Sequence, residues 1–240
     1  MTAARRRERS VRRSSDLPLR RARGLTAPVE DYLKAIYAIE LAGSAAATND
    51  IAQRLDIAPA SVSGMVRRLA DQGLLAYEPY RGVRLTAAGR RAALRTIRRH
   101  RVIEAYLVRA LGFAWDGVHE EAERLEHAAS EALIDRMADA IGEPVTDPHG
   151  APIPTREGTV DETPHRTLAD VATGQSARVV RVSDKDPGLL RHLSSLGLRP
   201  DVVVGVRDRA PYEGPITLEV SGRRVQVGAS LAGRLLVEIV

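Results

Sequence analysis

A mainly α-helical chain with small β elements is predicted: an N-terminal winged helix-turn-helix, a helical domain, and a small C-terminal β-barrel. Three observations carry this. Apolar residues recur at helical spacing through much of the chain, a Pro- and Gly-dense stretch follows, and the remainder breaks into short apolar–polar alternations separated by turn residues. At 240 residues the chain exceeds the usual size of one domain. With 3% aromatic residues, its cores must be built from Leu, Val, Ile and Ala.

The expected divisions are an Arg-rich tail over 1–24, the winged helix over 25–95, the helical domain over 96–143, a linker over 144–165 and the barrel domain over 166–240. The tail, "RRRERSVRRSSDLPLRRARG", leads into no apolar segment, so it is neither a secretory nor a twin-arginine signal. It reads as disordered chain able to trail along DNA phosphates, or as a start assigned upstream of the true first helix. No apolar run is long enough to span a membrane. Cysteine is absent, which excludes disulfides, thiolate metal ligands and a Cys nucleophile, and fits a cytoplasmic protein. The net charge of +5 comes almost wholly from Arg, because Lys occurs only at Lys34 and Lys185. Polyanions are the partners such a balance favours.

In "TAPVEDYLKAIYAIELAG", Leu33, Ile36, Tyr37 and Leu41 share one side of a first helix, with Thr26 and Pro28 as start signals and Gly43 as a stop. A second helix, "TNDIAQRLDI", buries Ile51, Ala52 and Leu55. A third, "PASVSGMVRRLADQG", buries Val62, Val66 and Leu69 and closes at Gly73. Two strands around a turn from Pro79 to Gly82 follow, and Thr86 caps the next helix. Three helices and a two-stranded wing make a winged helix-turn-helix. The third helix offers Pro59, Ala60, Ser61, Ser63, Gly64 and Arg67 to base edges, while Arg81 and Arg84 on the wing meet phosphates or a minor groove. The alternative use of such a domain is protein contact.

Chemistry concentrates in "VHEEAERLEHAASEALID", 118–135, expected to be one helix. At about 100° per residue, His119, Glu123, Glu126 and His127 fall within roughly one quarter of the circumference. Beside them runs an expected packing stripe of Ala122, Leu125, Ala129 and Leu133. Four such polar groups repel or desolvate one another unless something binds them, so the stripe is a candidate cation site. On the preceding long helix, His100 and Glu104 stand four residues apart, a spacing that lets imidazole and carboxylate share one ion. Taken singly, each of these residues reads first as solvated helix surface; together they point to a two-helix site. Past the linker, "ARVVRV", "DVVVGV", "ITLEV", "RRVQV" and "LLVEIV" read as strands of a small barrel.

The winged helix followed by "LTAAGRRAA", "RRHRVIEAYL", "VHEEAERLEHAAS" and "DPHGAPIP" resembles the diphtheria toxin repressor family of metal-dependent transcriptional regulators, from about Ala27 to Pro154. The final domain, with "SSLGLRP", is similar to that family's SH3-like third domain, akin to the ferrous-transport accessory module FeoA. The resemblance implies a homodimer bound to double-stranded operator DNA, with a primary metal site at Asp31, Glu123, Glu126 and His127 and an ancillary site at His100, Glu104 and His119. In the iron-responsive branch the third domain adds ligands to the ancillary ion; Asp184 and Asp186 are the candidates here, and the resemblance selects neither. The iron-responsive branch carries Met and Cys where this chain has Asp31 and Glu123. Loss of both sulfur donors reduces the advantage of softer ions, so the chain resembles the manganese transport regulator branch in its three-domain form. Mn²⁺ is then the expected corepressor, with Fe²⁺ or another divalent transition metal as a surrogate. One departure stands out: the short manganese regulators carry Glu at the position of Lys34, so their paired-metal arrangement does not transfer directly.

Three other functions compete. One is an iron-responsive regulator of the same family. Another is a metal-dependent hydrolase built on the two-helix cluster, although "HEEAERLEH" lacks the zinc-protease HExxH spacing. The last is an interaction scaffold whose barrel binds a Pro-rich segment.

Overall fold

The computed structural model describes residues 25–78, 80–184 and 186–240, so the Arg-rich tail lies outside the described residues. Helices α1 (Ala27–Glu40), α2 (Thr48–Leu55) and α3 (Pro59–Asp71) precede the wing strands β1 (Leu75–Glu78) and β2 (Gly82–Leu85), which pair antiparallel with Leu75 opposite Leu85. Leu33, Ile36, Ile51, Val62, Leu69, Leu75 and Val83 close one core, which requires the apolar face of each helix to point inward. Leu41, expected on that face, lies beyond the end of α1 and is exposed.

Thr86 caps α4 (Ala87–Leu111) by accepting from the Gly89 backbone N–H at 3.1 Å. This helix is the spine of the molecule. Its first half gives Ala93, Leu94 and Ile97 to the winged-helix core, and its second half gives Val102, Ile103, Ala105 and Leu107 to a separate core. Any group on α4 between these halves is therefore held between two domains.

The stretch 118–135 is not one helix. It divides into α5 (Val118–Glu126) and α6 (Glu131–Ala140), because the Ser130 side chain accepts from Leu133 N–H and starts a new helix. The break shifts the packing face. Val118, Ala122, Ile134 and Ala138 are buried, whereas Leu125 and Leu133 of the expected stripe are exposed.

The last domain is a six-stranded antiparallel sheet in the order β3-β8-β4-β5-β6-β7, formed by Arg166–Thr167, Ser176–Val182, Val203–Arg209, Ile216–Val220, Arg223–Val227 and Leu235–Ile239 for β3 to β8 in chain order. The five longer strands are those expected. Helix α7 (Pro187–Leu196), capped by Asp186, was not foreseen, and its Leu190 and Leu193 fill the sheet's core. A one-turn helix α8 (Ala229–Ala232) precedes β8.

Trp115, in the α4–α5 connection, is buried in this sheet domain's core although it belongs to the helical domain. Its indole N–H donates to Ser194 Oγ at 2.7 Å, and the Arg199 guanidinium lies 4.9 Å from its ring centre, so "SSLGLRP" acts as a receptor for one side chain. The loop from Asp147 to Ala151 completes the docking. His149 C=O accepts from Val182 N–H at 3.0 Å, and Gly150, at φ +85°, approaches the Val180 carbonyl so closely that a Cβ would collide with it.

Candidate metal centre

Asp31 on α1 and Glu123, Glu126 and His127 at the end of α5 bring ligand atoms within 4.8 Å of one another. Glu126 is completely buried, and Glu123 keeps a side chain 40% exposed. His127 sits on the first residue after α5, where the chain begins to turn away, and its Nε2 lies 3.0 Å from Asp31 Oδ1 and 3.3 Å from Glu126 Oε1. Its other nitrogen, Nδ1, is 2.7 Å from Glu30 Oε2, and Glu30 is itself paired with the buried Arg99. A proton on Nδ1 donated to Glu30 leaves the Nε2 lone pair facing the carboxylates, the usual way an outer carboxylate orients a metal-binding imidazole. Sequence reasoning passed over Glu30 and Arg99, since a Glu beside an Asp in a first helical turn looks like dipole compensation alone.

Burial and the neighbouring Glu123 and Glu126 charges raise the Asp31 carboxyl above its ordinary value, against the pull of His127 and Lys34. Burial also opposes the charge on Glu126, but hydrogen bonds from His100 and Lys34 outweigh it and hold this carboxyl low. Lys34 places its ammonium 2.8 Å from Glu123 Oε1 and 2.7 Å from Glu126 Oε1. Three carboxylates (Asp31, Glu123, Glu126) against one ammonium leave two negative charges, the complement of one divalent cation. Every donor is oxygen or imidazole nitrogen, a set that suits a hard or borderline divalent ion.

The second expected group also assembles. His100, Glu104 and His119 converge, and Asp184 of the sheet domain joins them, with His119 Nδ1 3.9 Å from Asp184 Oδ2. Asp186 instead caps α7. His100 links the two groups: Nδ1 is 2.7 Å from Glu126 Oε2, while Nε2 is 3.0 Å from His119 Nδ1 and 3.1 Å from Glu104 Oε1. Burial disfavours its charge, but Glu104 and Glu126 raise its pKa to about 9.

A third group was not anticipated. Glu104, Asp147 and His149 are all buried, and Glu104 Oε2, Asp147 Oδ2 and His149 Nδ1 have no hydrogen-bond partner. His149 Nε2 is 2.8 Å from the Trp115 carbonyl, which makes it the donor there and turns Nδ1 toward Glu104 Oε2, 3.7 Å away. Burial lowers the affinity of His149 for a proton, but Glu104 and Asp147 raise its pKa to about 9. Burial and the Glu104 charge lift Asp147 to about 6. The Arg101 guanidinium already stands beside this group, its Nε 3.6 Å from Asp147 Oδ2, and two carboxylates with one imidazole are also a donor set that a divalent ion accepts. The signal lay in "DPHGAPIP", read only as a resemblance and as linker.

On α3, Pro59, Ala60, Ser61, Ser63, Gly64 and Arg67, the residues expected to meet DNA, are exposed, while Val62, Val66 and Leu69 of the same helix are buried. A Cβ on Gly64 would meet nothing within 4 Å, so no contact inside the chain requires glycine there. Arg81 and Arg84 both lie against Glu78, at 3.3 and 2.6 Å, which offsets part of their charge. The wing also exposes Tyr77 and Tyr80, two aromatic rings that sequence reasoning did not single out.

Three family models match: "Iron dependent repressor, N-terminal DNA binding domain" over 24–83, "Iron dependent repressor, metal binding and dimerisation domain" over 86–155, and "FeoA domain" over 166–239. The diphtheria toxin repressor of Corynebacterium jeikeium is 30% identical over 208 residues, which cover 76% of this chain and 85% of that protein. The chain belongs to the diphtheria toxin repressor family.

Another member of the diphtheria toxin repressor family, the iron-dependent repressor IdeR of Mycobacterium tuberculosis, is 40% identical over 125 residues, 52% of this chain. The match spans about half of that relative's own length, 54%. Among solved structures, a manganese-dependent transcriptional repressor in complex with manganese superposes with a TM-score of 0.80 at 38% identity, covering 88% of this chain and all of that one. Members of the diphtheria toxin repressor family are DNA-binding transcriptional repressors, not enzymes, and the hydrolase alternative is set aside on that ground.

Proposed function

We infer that this chain is a homodimeric, manganese-dependent repressor that binds operator DNA when its metal sites are filled. One observation carries the inference: donors from two domains, Asp31 of the winged helix and Glu123, Glu126 and His127 of the helical domain, converge on a single point and include no sulfur. Asp31 rides on α1, which packs against α4 and, through the shared core, sets the position of α3. Asp31, Glu123, Glu126 and His127 would hold a divalent ion, whose positive charge would neutralise the carboxylates and join α1 to α5. The chain's own residues do the rest: Glu30 and Arg99 orient His127, His100 braces Glu126, and Glu104 reaches toward both neighbouring groups. With α1 held, the paired α3 helices of a dimer would keep the separation of about 34 Å that two successive major-groove half-sites require.

Exposed Leu111, Phe113, Leu125 and Leu133 on the helical domain give a second copy apolar surface to cover, which supports the homodimer. No described helix is long and apolar enough to cross a membrane, and an operator-binding protein works in the cytoplasm. The iron-responsive reading has the names of the mycobacterial relatives in its favour, but the oxygen donors at Asp31 and Glu123 weigh against it. The test is an electrophoretic mobility shift on the promoter of an adjacent metal-transporter gene. At saturating metal Mn²⁺ should give a fuller complex than Fe²⁺ or Zn²⁺, even though ions later in the divalent series bind N/O donors more tightly, and EDTA should abolish it. Equal affinity with and without metal would overturn the inference.

A further inference from the structure

The strongest unassigned feature is a lysine where a metal is expected. Lys34 is one turn along α1 from Asp31, and its ammonium bridges Glu123 and Glu126, two of the proposed primary ligands, at 2.8 and 2.7 Å. It comes from the winged helix and they come from the helical domain, so this contact already spans the two lobes that the ion is proposed to join. The lysine side chain is 19% exposed and Glu126 not at all, so water screens the pair poorly.

We propose that Lys34 is a built-in counter-ion of the primary site, closing the domain interface when metal is scarce and competing with the ion for Glu123 and Glu126, and so setting the metal concentration at which the protein responds. The proposal rests on the metal-dependent function inferred above. Its physical basis is charge. A divalent ion and an ammonium cannot both approach the same carboxylate oxygens without strong repulsion, so part of the ion's binding free energy goes into moving Lys34 away. There is somewhere for it to go: Lys34 lines a cavity of about 800 Å³ between the domains, into which the ammonium can turn away from Glu123 and Glu126. A neutral residue at this position would leave the carboxylates free for the ion, giving tighter metal binding but a looser metal-free form.

The test uses the full chain and its Lys34→Met, Lys34→Arg and Glu126→Gln variants, with Mn²⁺ binding by isothermal titration and thermal unfolding with and without the ion. Lys34→Met should bind Mn²⁺ at least about tenfold more tightly than wild type, the lower end expected for removing a unit charge beside a poorly screened divalent ion. Without metal it should melt earlier than wild type, and saturation with Mn²⁺ should erase that difference, which also shows that the variant folds. Lys34→Arg should stay close to wild type in both measurements. Unchanged or weaker binding by a folded Lys34→Met would overturn the proposal while leaving the metal site standing. If wild type takes up no Mn²⁺ and Glu126→Gln changes nothing, the metal-dependent function fails and this proposal with it.

Discussion

His100 Nδ1 lies 2.7 Å from Glu126 Oε2, and through this hydrogen bond the two groups expected to bind metal separately are joined by one imidazole. A proton held on Nδ1 by Glu126 leaves Nε2 as the nitrogen that faces Glu104 and His119. Filling one site would therefore change the ligand field of the other. Replacing His100 by Gln should weaken both sites, not the ancillary one alone, and a titration that shows two linked binding events in wild type should lose the linkage. Loss of one event with the other unchanged would mean the sites are independent.

Glu30 has no place in the ligand set, yet it orients His127 and is held by Arg99. Glu30→Gln keeps the shape and an acceptor but removes the charge. By analogy with other outer-shell partners of metal-bound imidazoles, Mn²⁺ affinity should fall by about 10- to 100-fold. Titration calorimetry measures the fall, and unchanged far-ultraviolet circular dichroism separates it from unfolding.

Metal binding should be linked to pH with a definite sign. In the metal-free protein His100 and His149 titrate near 9, so at neutral pH both carry protons that a cation must displace. Affinity for Mn²⁺ should rise as pH increases from 6 toward 9, with proton release detectable from the buffer dependence of the binding heat. The same shifts bear on stability without metal. A histidine raised from 6.5 to about 9 stabilises the fold fully below 6.5, and this contribution fades as pH rises through 9. The melting temperature of the metal-free protein should therefore drop over that interval, measurably by calorimetry in EDTA.

Gly64 sits inside α3 with open space where a side chain would project. Glycine there weakens the helix by about 0.5–1 kcal/mol relative to alanine. Gly64→Ala should raise thermal stability by that order while reducing operator affinity, because the exposed face of α3 would meet the base edges at a greater distance. Stability and mobility-shift measurements moving in opposite directions would mark Gly64 as a DNA-facing residue; parallel changes would not.

Trp115 is the peg that docks the sheet domain. Its truncation to Ala removes a large buried side chain at a cost of about 3–5 kcal/mol and frees Ser194 and Arg199. Limited proteolysis should then cut within 156–166 sooner than in wild type, while the winged-helix and helical domains stay resistant.

Much of the architecture was legible in the residues because helical and strand periodicities are local. The three helices and wing, the Thr86 cap and the five longer strands follow from the spacing of Val, Leu and Ile and from their bounding turns. The errors fell where local signals conflict. Ser130 looks like one more polar helix position, but its side chain captures the Leu133 N–H and starts a separate helix. Helix α7 went unread although Asp186 and Pro187 mark its start and Gly197 its end.

For the site, helical spacing was enough to put His119, Glu123, Glu126 and His127 on one face and His100 beside Glu104, since both relations are set by 3.6 residues per turn. It could not bring Asp31, Lys34 or Asp184 to them, nor turn His149 and Asp147 toward Glu104. Those meetings join residues scores of positions apart, and they exist because α4 belongs to two cores at once and Trp115 pins the sheet domain against its far end. Periodicity chose which faces carry charge; packing between domains decided which charges share a cation.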